Sequence, residues 1–243
     1  MDIYEGDFAV EQKGDASPVT AADQKAETLI LAALAKADPT LMVIAEEEAS
    51  EGRVPEHGHR FALVDPLDGT RAFVSRNGEF TVNIALIEHG RPVMGVVYAP
   101  AKSRLFVAES HNSGWQAEAA PGADVPTERR PLRIRPCPEA GVTAIASKSH
   151  RTPETDLWLD KHKVNETLGA GSSLKFCLIA AGEADLYPRM GRTMEWDTAA
   201  GQAVVEAAGG RVLTEEGTPL LYGKRERGYD NPHFIVYGDV TPC

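Results

Sequence analysis

Asp65 and Asp68 stand three residues apart in the stretch Phe61-Ala62-Leu63-Val64-Asp65-Pro66-Leu67-Asp68-Gly69-Thr70. Residues 61–64 read as a buried strand, Pro66 stiffens the backbone between the two acids, and Gly69-Thr70 permits a sharp turn. A strand end that delivers two carboxylates to one spot is costly without a cation beside them. Taken alone, such a pair is most often a type I turn whose aspartates cap local amides. Two further acids change that weighting. Glu46 follows the apolar run 41–45, and Asp197 opens a helix-like segment. Two like charges about 4 Å apart repel by roughly 4 kcal/mol at an effective dielectric near 20. If the four acids converge, protons or metal ions must accompany them. An all-oxygen donor set without His or Cys selects hard cations, Mg²⁺ first, which keeps waters and accepts phosphate oxygens.

For those acids to meet, several strand and helix ends must be brought together. Val19, Ala22, Ala26, Leu29, Ile30 and Leu34 fall at helical spacing and predict a helix over 18–37, opened by Ser17-Pro18 and stopped by Asp38-Pro39. Residues 41–45 predict a strand that runs into Glu46-Glu47-Glu48, with an exposed Gly- and Pro-containing loop after it. Runs 81–87 and 93–98, joined by Glu88-His89-Gly90-Arg91-Pro92, predict a β-hairpin. Residues 105–108 and the neighbourhood of Trp115 extend that sheet. The segment 119–138 is rich in proline, alanine and charge, with one strand expected at 132–135, and a domain boundary is expected there. Beyond it the rhythm alternates: strand 142–146, helix 154–162, helix 172–181, strand 185–187, helix 197–208 stopped by Gly209-Gly210, and strands 211–213 and 234–237. The expected organisation is an N-terminal α+β domain, 1–135, carrying Glu46, Asp65 and Asp68, and a C-terminal α/β domain, 136–243, carrying Asp197.

Composition narrows the partners. The 243 residues carry a net charge of −11, which disfavours long nucleic acid and anionic membrane surfaces but not a small phosphorylated ligand held by a few local cations. No apolar run approaches the roughly 18 residues of a membrane helix, and Met1-Asp2-Ile3-Tyr4-Glu5 lacks the basic and apolar regions of a secretory signal. A cytoplasmic location is the default expectation. Cys137, Cys177 and Cys243 are odd in number and far apart, so they are read as reduced and outside the chemistry.

Residues 45–48 (Ala-Glu-Glu-Glu), 65–70 (Asp-Pro-Leu-Asp-Gly-Thr) and 196–201 (Trp-Asp-Thr-Ala-Ala-Gly), with Gly209-Gly210, resemble the inositol monophosphatase superfamily of lithium-sensitive, Mg-dependent phosphatases. The likeness spans nearly the whole chain. It implies a mixed α+β and α/β fold, a layered αβαβα sandwich of the inositol monophosphatase and sugar phosphatase type. It implies two or three Mg²⁺ ions held by Glu46, Asp65, Asp68, Asp197 and the Leu67 carbonyl. Asp23 matches the family's additional acid near a more weakly held metal, and Thr70 the threonine that orients the attacking water. Asp23, Glu46 and Thr70 are thereby implied as catalytic. The implied reaction is in-line attack by a metal-activated water, without a covalent phosphoenzyme.

Residues 71–85, 171–177 and 185–189 look like the bacterial 3′(2′),5′-bisphosphate nucleotidase branch, which converts adenosine 3′,5′-bisphosphate to AMP. A bisphosphate needs cations for the phosphate that is not cleaved, and Lys175 and Arg189 are suited to that. The resemblance places His150 near the nucleotide, and Ser172 adds a hydroxyl. With Glu46, Leu67, Asp68, Gly69, Thr70 and Asp197 they form the expected substrate-binding set. The expected partner is a small phosphorylated nucleotide, with a homodimer as one assembly. Inositol monophosphatase or broad sugar phosphatase activity is the alternative within the same chemistry. A catalytically silent metal- and nucleotide-binding module and a calcium-binding protein are the alternatives outside it. A long helix ordinarily precedes the matched segment in this family. Here only Met1 to Ala16 come before Ser17, so an abbreviated start is expected.

Overall fold

Inward and outward side chains alternate without a break over residues 81–88, the mark of a half-buried strand, and a broad sheet forms around them. The computed structural model describes residues 1–7, 9–12, 18–147, 152–162 and 164–240. A short helix α1 (Asp2–Glu5) and the paired strands β1 (Val10–Gln12) and β2 (Pro18–Thr20) lead into α2 (Ala21–Ala37). The helix therefore starts later than its apolar spacing predicts. Its cap is Thr20: Thr20 Oγ1 accepts from Ala22 N at 3.1 Å, and Asp23 Oδ2 accepts from Thr20 N at 2.7 Å. This reciprocal pairing satisfies two first-turn donors, while Pro18 is already in extended backbone. Ser17 lies outside the described residues.

Strand β3 (Met42–Ala45) runs into α3 (Glu46–Ser50), so the acidic triplet forms a helical turn. Strand β4 (Arg60–Asp68) continues past the predicted 61–64 and carries both Asp65 and Asp68. Helix α4 (Thr70–Val74), which the apolar spacing does not announce, is followed by β5 (Thr81–Glu88), β6 (Arg91–Ala99), β7 (Arg104–Ser110), β8 (Ser113–Glu118) and β9 (Arg130–Pro131). Among the described residues these strands make a seven-stranded sheet in the order β3-β4-β5-β6-β7-β8-β9. β3 is parallel to β4 and every later pair is antiparallel. The predicted hairpin is β5–β6. The strand predicted at 132–135 does not form. Pro131 has no N–H with which to extend the ladder, Leu132 is drawn into the core at 4% exposure, and Ile134 N donates instead to Ala208 O at 3.2 Å.

The second sheet uses β10 (Val142–Ser147), β11 (Val164–Ala170), β12 (Leu186–Arg189), β13 (Arg211–Thr214) and β14 (Phe234–Tyr237), with helices α5 (Pro153–Lys161), α6 (Leu174–Ala180) and α7 (Glu195–Ala207) between them. Its order is β11-β10-β12-β14-β13, with β10 parallel to both neighbours. β11 has no counterpart in the sequence reading because its middle residues, Asn165 to Thr167, are exposed at the sheet edge. Helix α7 packs on β4–β7 and on β13, while α6 packs on α7, β10 and β12. With α2 on β4 and α5 on β12, the layering is the expected αβαβα. A single hydrophobic cluster runs through both sheets, from Phe61 and Phe106 through Phe176 and Val204 to Phe234. No helix among the described residues is long and apolar enough to cross a membrane.

Helix α7, which carries Asp197, approaches its neighbours through small residues. A Cβ on Gly201 would stand 2.6 Å from Phe176 Cγ. Overpacking of that kind costs about 1–3 kcal/mol, against a helix-propensity gain of about 1 kcal/mol for Gly→Ala. Gly201→Ala is therefore expected to lower the urea midpoint with an unchanged slope. A raised midpoint would contradict the packing.

Candidate active site

Residues three apart on a regular strand point to opposite faces. Asp65 and Asp68 escape this because β4 carries one extra residue against β5: Asp65 pairs with Asn83 and Asp68 with Thr81. The extra residue is a bulge at Pro66-Leu67, where proline has no ladder hydrogen bond to lose. It resets the alternation, so both aspartates oppose residues of the same buried face of β5. Glu46 arrives beside them through the parallel neighbour, since Ala45 pairs with Val64 one step before each chain reaches its acid. Asp197 arrives in the first turn of α7, where its Oδ2 accepts from Met194 N at 2.8 Å.

Each aspartate is held by a main-chain donor. Asp65 Oδ1 accepts from Leu67 N at 3.0 Å, and Asp68 Oδ2 from Ser173 N at 2.6 Å and Asn83 Nδ2 at 3.4 Å. Ser173 also donates its hydroxyl to Asp197 O at 2.5 Å, which ties the two acids' supports together. Asp65 is 1% exposed and lies close to Glu46. Burial, and then the charges of Glu46, Asp68 and Asp197, push its pKa well above the ordinary aspartate value. Asp197 is raised in the same way, by burial and then by Asp68 and Glu46. Burial raises Asp68 as well, opposed by Lys175 and its N–H donors.

Asp23 and Thr70 form a second pair behind the acids. Asp23, 1% exposed, also accepts from the Thr20 hydroxyl at 2.7 Å. Thr70 Oγ1 donates toward Asp23 Oδ1 at 3.3 Å and lies 3.4 Å from Leu67 O. Gly69 precedes it at φ 92, where a side chain would be strained and its Cβ would meet Glu79 O at 3.3 Å.

A cavity of about 640 Å³ opens onto Glu46, Asp68, Gly69, Thr70 and Asp197, and the same cavity reaches Ser172, Lys175 and Arg189. Asp23, Asp65 and Leu67 are buried residues outside its lining. Lys175 is 6% exposed, and its Nζ donates to Ser172 O at 2.6 Å and sits over the Tyr187 ring. Burial brings its pKa down to about 8, with Asp68 pulling it up and Arg189 pushing it further down. Arg189, also buried, donates to Arg192 O at 2.8 Å. The Ser172 hydroxyl is buried without a partner among the described residues, a donor suited to a ligand oxygen. His150 lies outside the described residues.

Among the described residues, no three His, Cys, Asp or Glu side chains stand ready-arranged around a metal position. The donor chemistry nonetheless fits a hard cation. Its oxygens are carboxylate and carbonyl, and burial, followed by repulsion among the acids, raises the pKa values of Asp65 and Asp197. A cation among them would offset that repulsion. Residues to which the sequence assigned no role also build the site. Thr81 and Asn83 could be found as polar side chains on the inward face of an alternating strand. Ser173 and Trp196 lie within the matched segments 171–177 and 196–201, whereas Arg225 and Tyr229 reach the cavity from an irregular loop.

A model of the inositol monophosphatase family matches residues 1–234. The 3′(2′),5′-bisphosphate nucleotidase CysQ of Escherichia coli strain K12 is 44% identical over 238 residues, covering 97% of this chain and 92% of the relative. The protein of the same description from Haemophilus influenzae is 31% identical over 246 residues, covering 98% of this chain and 87% of the relative. Among solved structures, CysQ from Bacteroides thetaiotaomicron, a bacterial member of the inositol monophosphatase family, superposes with a TM-score of 0.78 at 38% identity. That match covers 94% of this chain and 87% of the other.

Proposed function

The chain belongs to the inositol monophosphatase family, and on that footing we propose a metal-dependent phosphomonoesterase that removes the 3′-phosphate of adenosine 3′,5′-bisphosphate to give AMP. The observation that carries this substrate is one cavity shared by the acids and by two buried cations, Lys175 and Arg189. Burial lowers the Lys175 pKa, Asp68 pulls it up and Arg189 pushes it down. An internal carboxylate therefore offsets part of the cost of burying two like charges, and a ligand anion shared by both would offset more. A second phosphate on the same ligand supplies that anion, whereas a monophosphate held by the acid cluster does not.

Glu46, Asp65, Asp68, Asp197 and the Leu67 carbonyl would hold two or three Mg²⁺ ions. When bound, such ions neutralise a phosphate and make water a competent nucleophile at neutral pH. The chain's own groups do the remaining work. Thr70 stands with its hydroxyl proton directed to Asp23, so a lone pair is available to orient a water and take its proton, with Asp23 as the final acceptor. Helix α7 presents its first turn to the cavity, where the positive end of its dipole favours an anion. Ser172, Lys175 and Arg189 bind and orient the phosphate that stays.

Steady-state assays with Mg²⁺ on adenosine 3′,5′-bisphosphate and on inositol 1-phosphate test the reading. The kcat/KM for the nucleotide is expected to be higher by about a hundredfold, on the order of 3 kcal/mol, with inhibition by added Li⁺. A preference for inositol 1-phosphate would overturn it. Arg189→Ala is expected to raise KM for the bisphosphate about tenfold and to affect inositol 1-phosphate far less. An equal rise for both substrates would remove Arg189 from substrate selection.

A further inference from the structure

One wall of the cavity is supplied by Arg225, Gly228 and Tyr229, and a buried carboxylate helps to hold their loop in place. Glu195, the first residue of α7, is 0% exposed and stands two positions before Asp197. Its Oε2 accepts from Gly223 N at 2.7 Å. Its Oε1 accepts from both Lys224 N and Lys224 Nζ at 2.8 Å. Two amides and an ammonium on one carboxylate make an arrangement in which a buried charge is tolerated. The backbone N–H of Glu195 donates in turn to Tyr229 O at 2.9 Å. Asn231 adds a second tie, its Nδ2 donating to Met194 O at 2.9 Å and Thr198 Oγ1 at 3.1 Å. The loop and the first turn of α7 are thus one hydrogen-bonded unit.

This unit turns Arg225, Gly228 and Tyr229 to the cavity. Tyr229 has φ 64, a left-handed backbone that a bulky side chain adopts only under constraint, and the bond from Glu195 N is such a constraint. The Tyr229 ring lies 6.3 Å from that of Trp196, and its hydroxyl meets His57 Nε2 at 3.1 Å. His57 Nδ1 faces Gly58 O at 2.9 Å, so Nδ1 carries the proton and Nε2 accepts from the tyrosine. Arg225 is exposed, and its ionic partner Glu56, 3.5 Å away, is 90% exposed. A surface pair of that kind is too weak to keep a guanidinium from an anionic ligand.

We propose that Glu195 is a positioning residue for substrate selection: it fixes the 223–231 segment so that Tyr229 and Arg225 meet the alcohol portion of a phosphorylated nucleoside while the acid cluster holds its phosphate. The proposal rests on the nucleotidase reading above. Lys224 is the hinge of the arrangement, since it contributes two of the three bonds on the Glu195 carboxylate.

E195Q keeps the volume of the side chain but puts an amide NH₂ where an oxygen now accepts. R225A leaves the clasp whole and removes only an exposed cation. Both are assayed with Mg²⁺ on adenosine 3′,5′-bisphosphate and on glycerol 2-phosphate, a small alcohol with no ring and no second phosphate. Each variant is expected to lower the ratio of the two kcat/KM values about tenfold, through KM for the nucleotide and with kcat little changed. An unchanged ratio overturns the proposal, even where E195Q lowers the melting temperature, because a merely structural role predicts that pattern. A fall in kcat for both substrates also overturns it, since Glu195 would then act through Asp197. Should E195Q fail to fold, R225A and K224M decide in the same terms. The nucleotidase reading fails separately, in the wild-type comparison with inositol 1-phosphate. In that event the ratio is measured with inositol 1-phosphate as the larger alcohol.

Discussion

Asp65→Asn is expected to lower kcat by about a thousandfold or more, the scale set by losing a group that organises charge stabilisation at the reacting phosphate. The far-UV circular dichroism should be unchanged. The reason lies in what the substitution keeps. A carboxamide at this position would retain an oxygen to accept from Leu67 N, and its NH₂ could donate to Glu46, so the bulge keeps its local bonds. What disappears is one of four charges that repel across a buried space. In EDTA the variant should melt no lower than the wild type, because a like-charge contact has gone. With Mg²⁺ it should gain less stability than the wild type. Retained turnover in the folded variant would remove Asp65 from the metal cluster.

The second large effect couples pH to metal. Asp65, Asp68 and Asp197 all titrate above the ordinary aspartate value of 3.8 in the folded protein. A raised folded-state value means that the folded chain binds protons more tightly than the unfolded one. Its contribution to stability is fully present below the unfolded pKa and is lost as pH rises through the folded values. In EDTA the melting temperature should therefore decline as pH rises from about 4 toward neutrality. Mg²⁺ replaces the protons, so the decline should flatten and the gain from metal should grow with pH. At a hundredfold excess over its dissociation constant a ligand adds about 2.7 kcal/mol, which for a chain of this size is a shift of roughly 5–10 °C. Parallel melting curves with and without Mg²⁺ across that range would show that the acids do not bind it.

The acids are legible in the sequence because each ends a run whose apolar character is dictated by burial. Glu46 follows β3, Asp65 and Asp68 close β4, and the sheet register then brings them together. Layer order is legible for the same reason, since alternating strands and a helix-spaced run each declare the face they bury. The start of α2 is not, because Ser17-Pro18 and Thr20 with Asp23 both satisfy local capping chemistry. The choice falls to Asp23, whose other oxygen is fixed by Thr70 from a distant part of the chain. Strand β11 is hidden by its exposed middle. The segment 223–231 has no periodicity, and its order comes from Glu195 and Asn231, which read locally as an ordinary acid at a helix start and an ordinary loop asparagine.

The bulge between Asp65 and Asp68 gives the Asp-Pro-Leu-Asp stretch a property separate from its composition. Its length works as a reading frame for direction. Removing one residue between the aspartates would abolish the bulge: Asp65 could still oppose Asn83 and Asp68 Thr81 in regular alternation, but the turn in which Asp65 Oδ1 accepts from Leu67 N would be lost. Adding one residue would turn Asp68 away from Asp65. Side chains within the stretch can vary where they do not touch the site. An insertion cannot be absorbed there, since Asp68, Gly69 and Thr70 count their positions from the same kink.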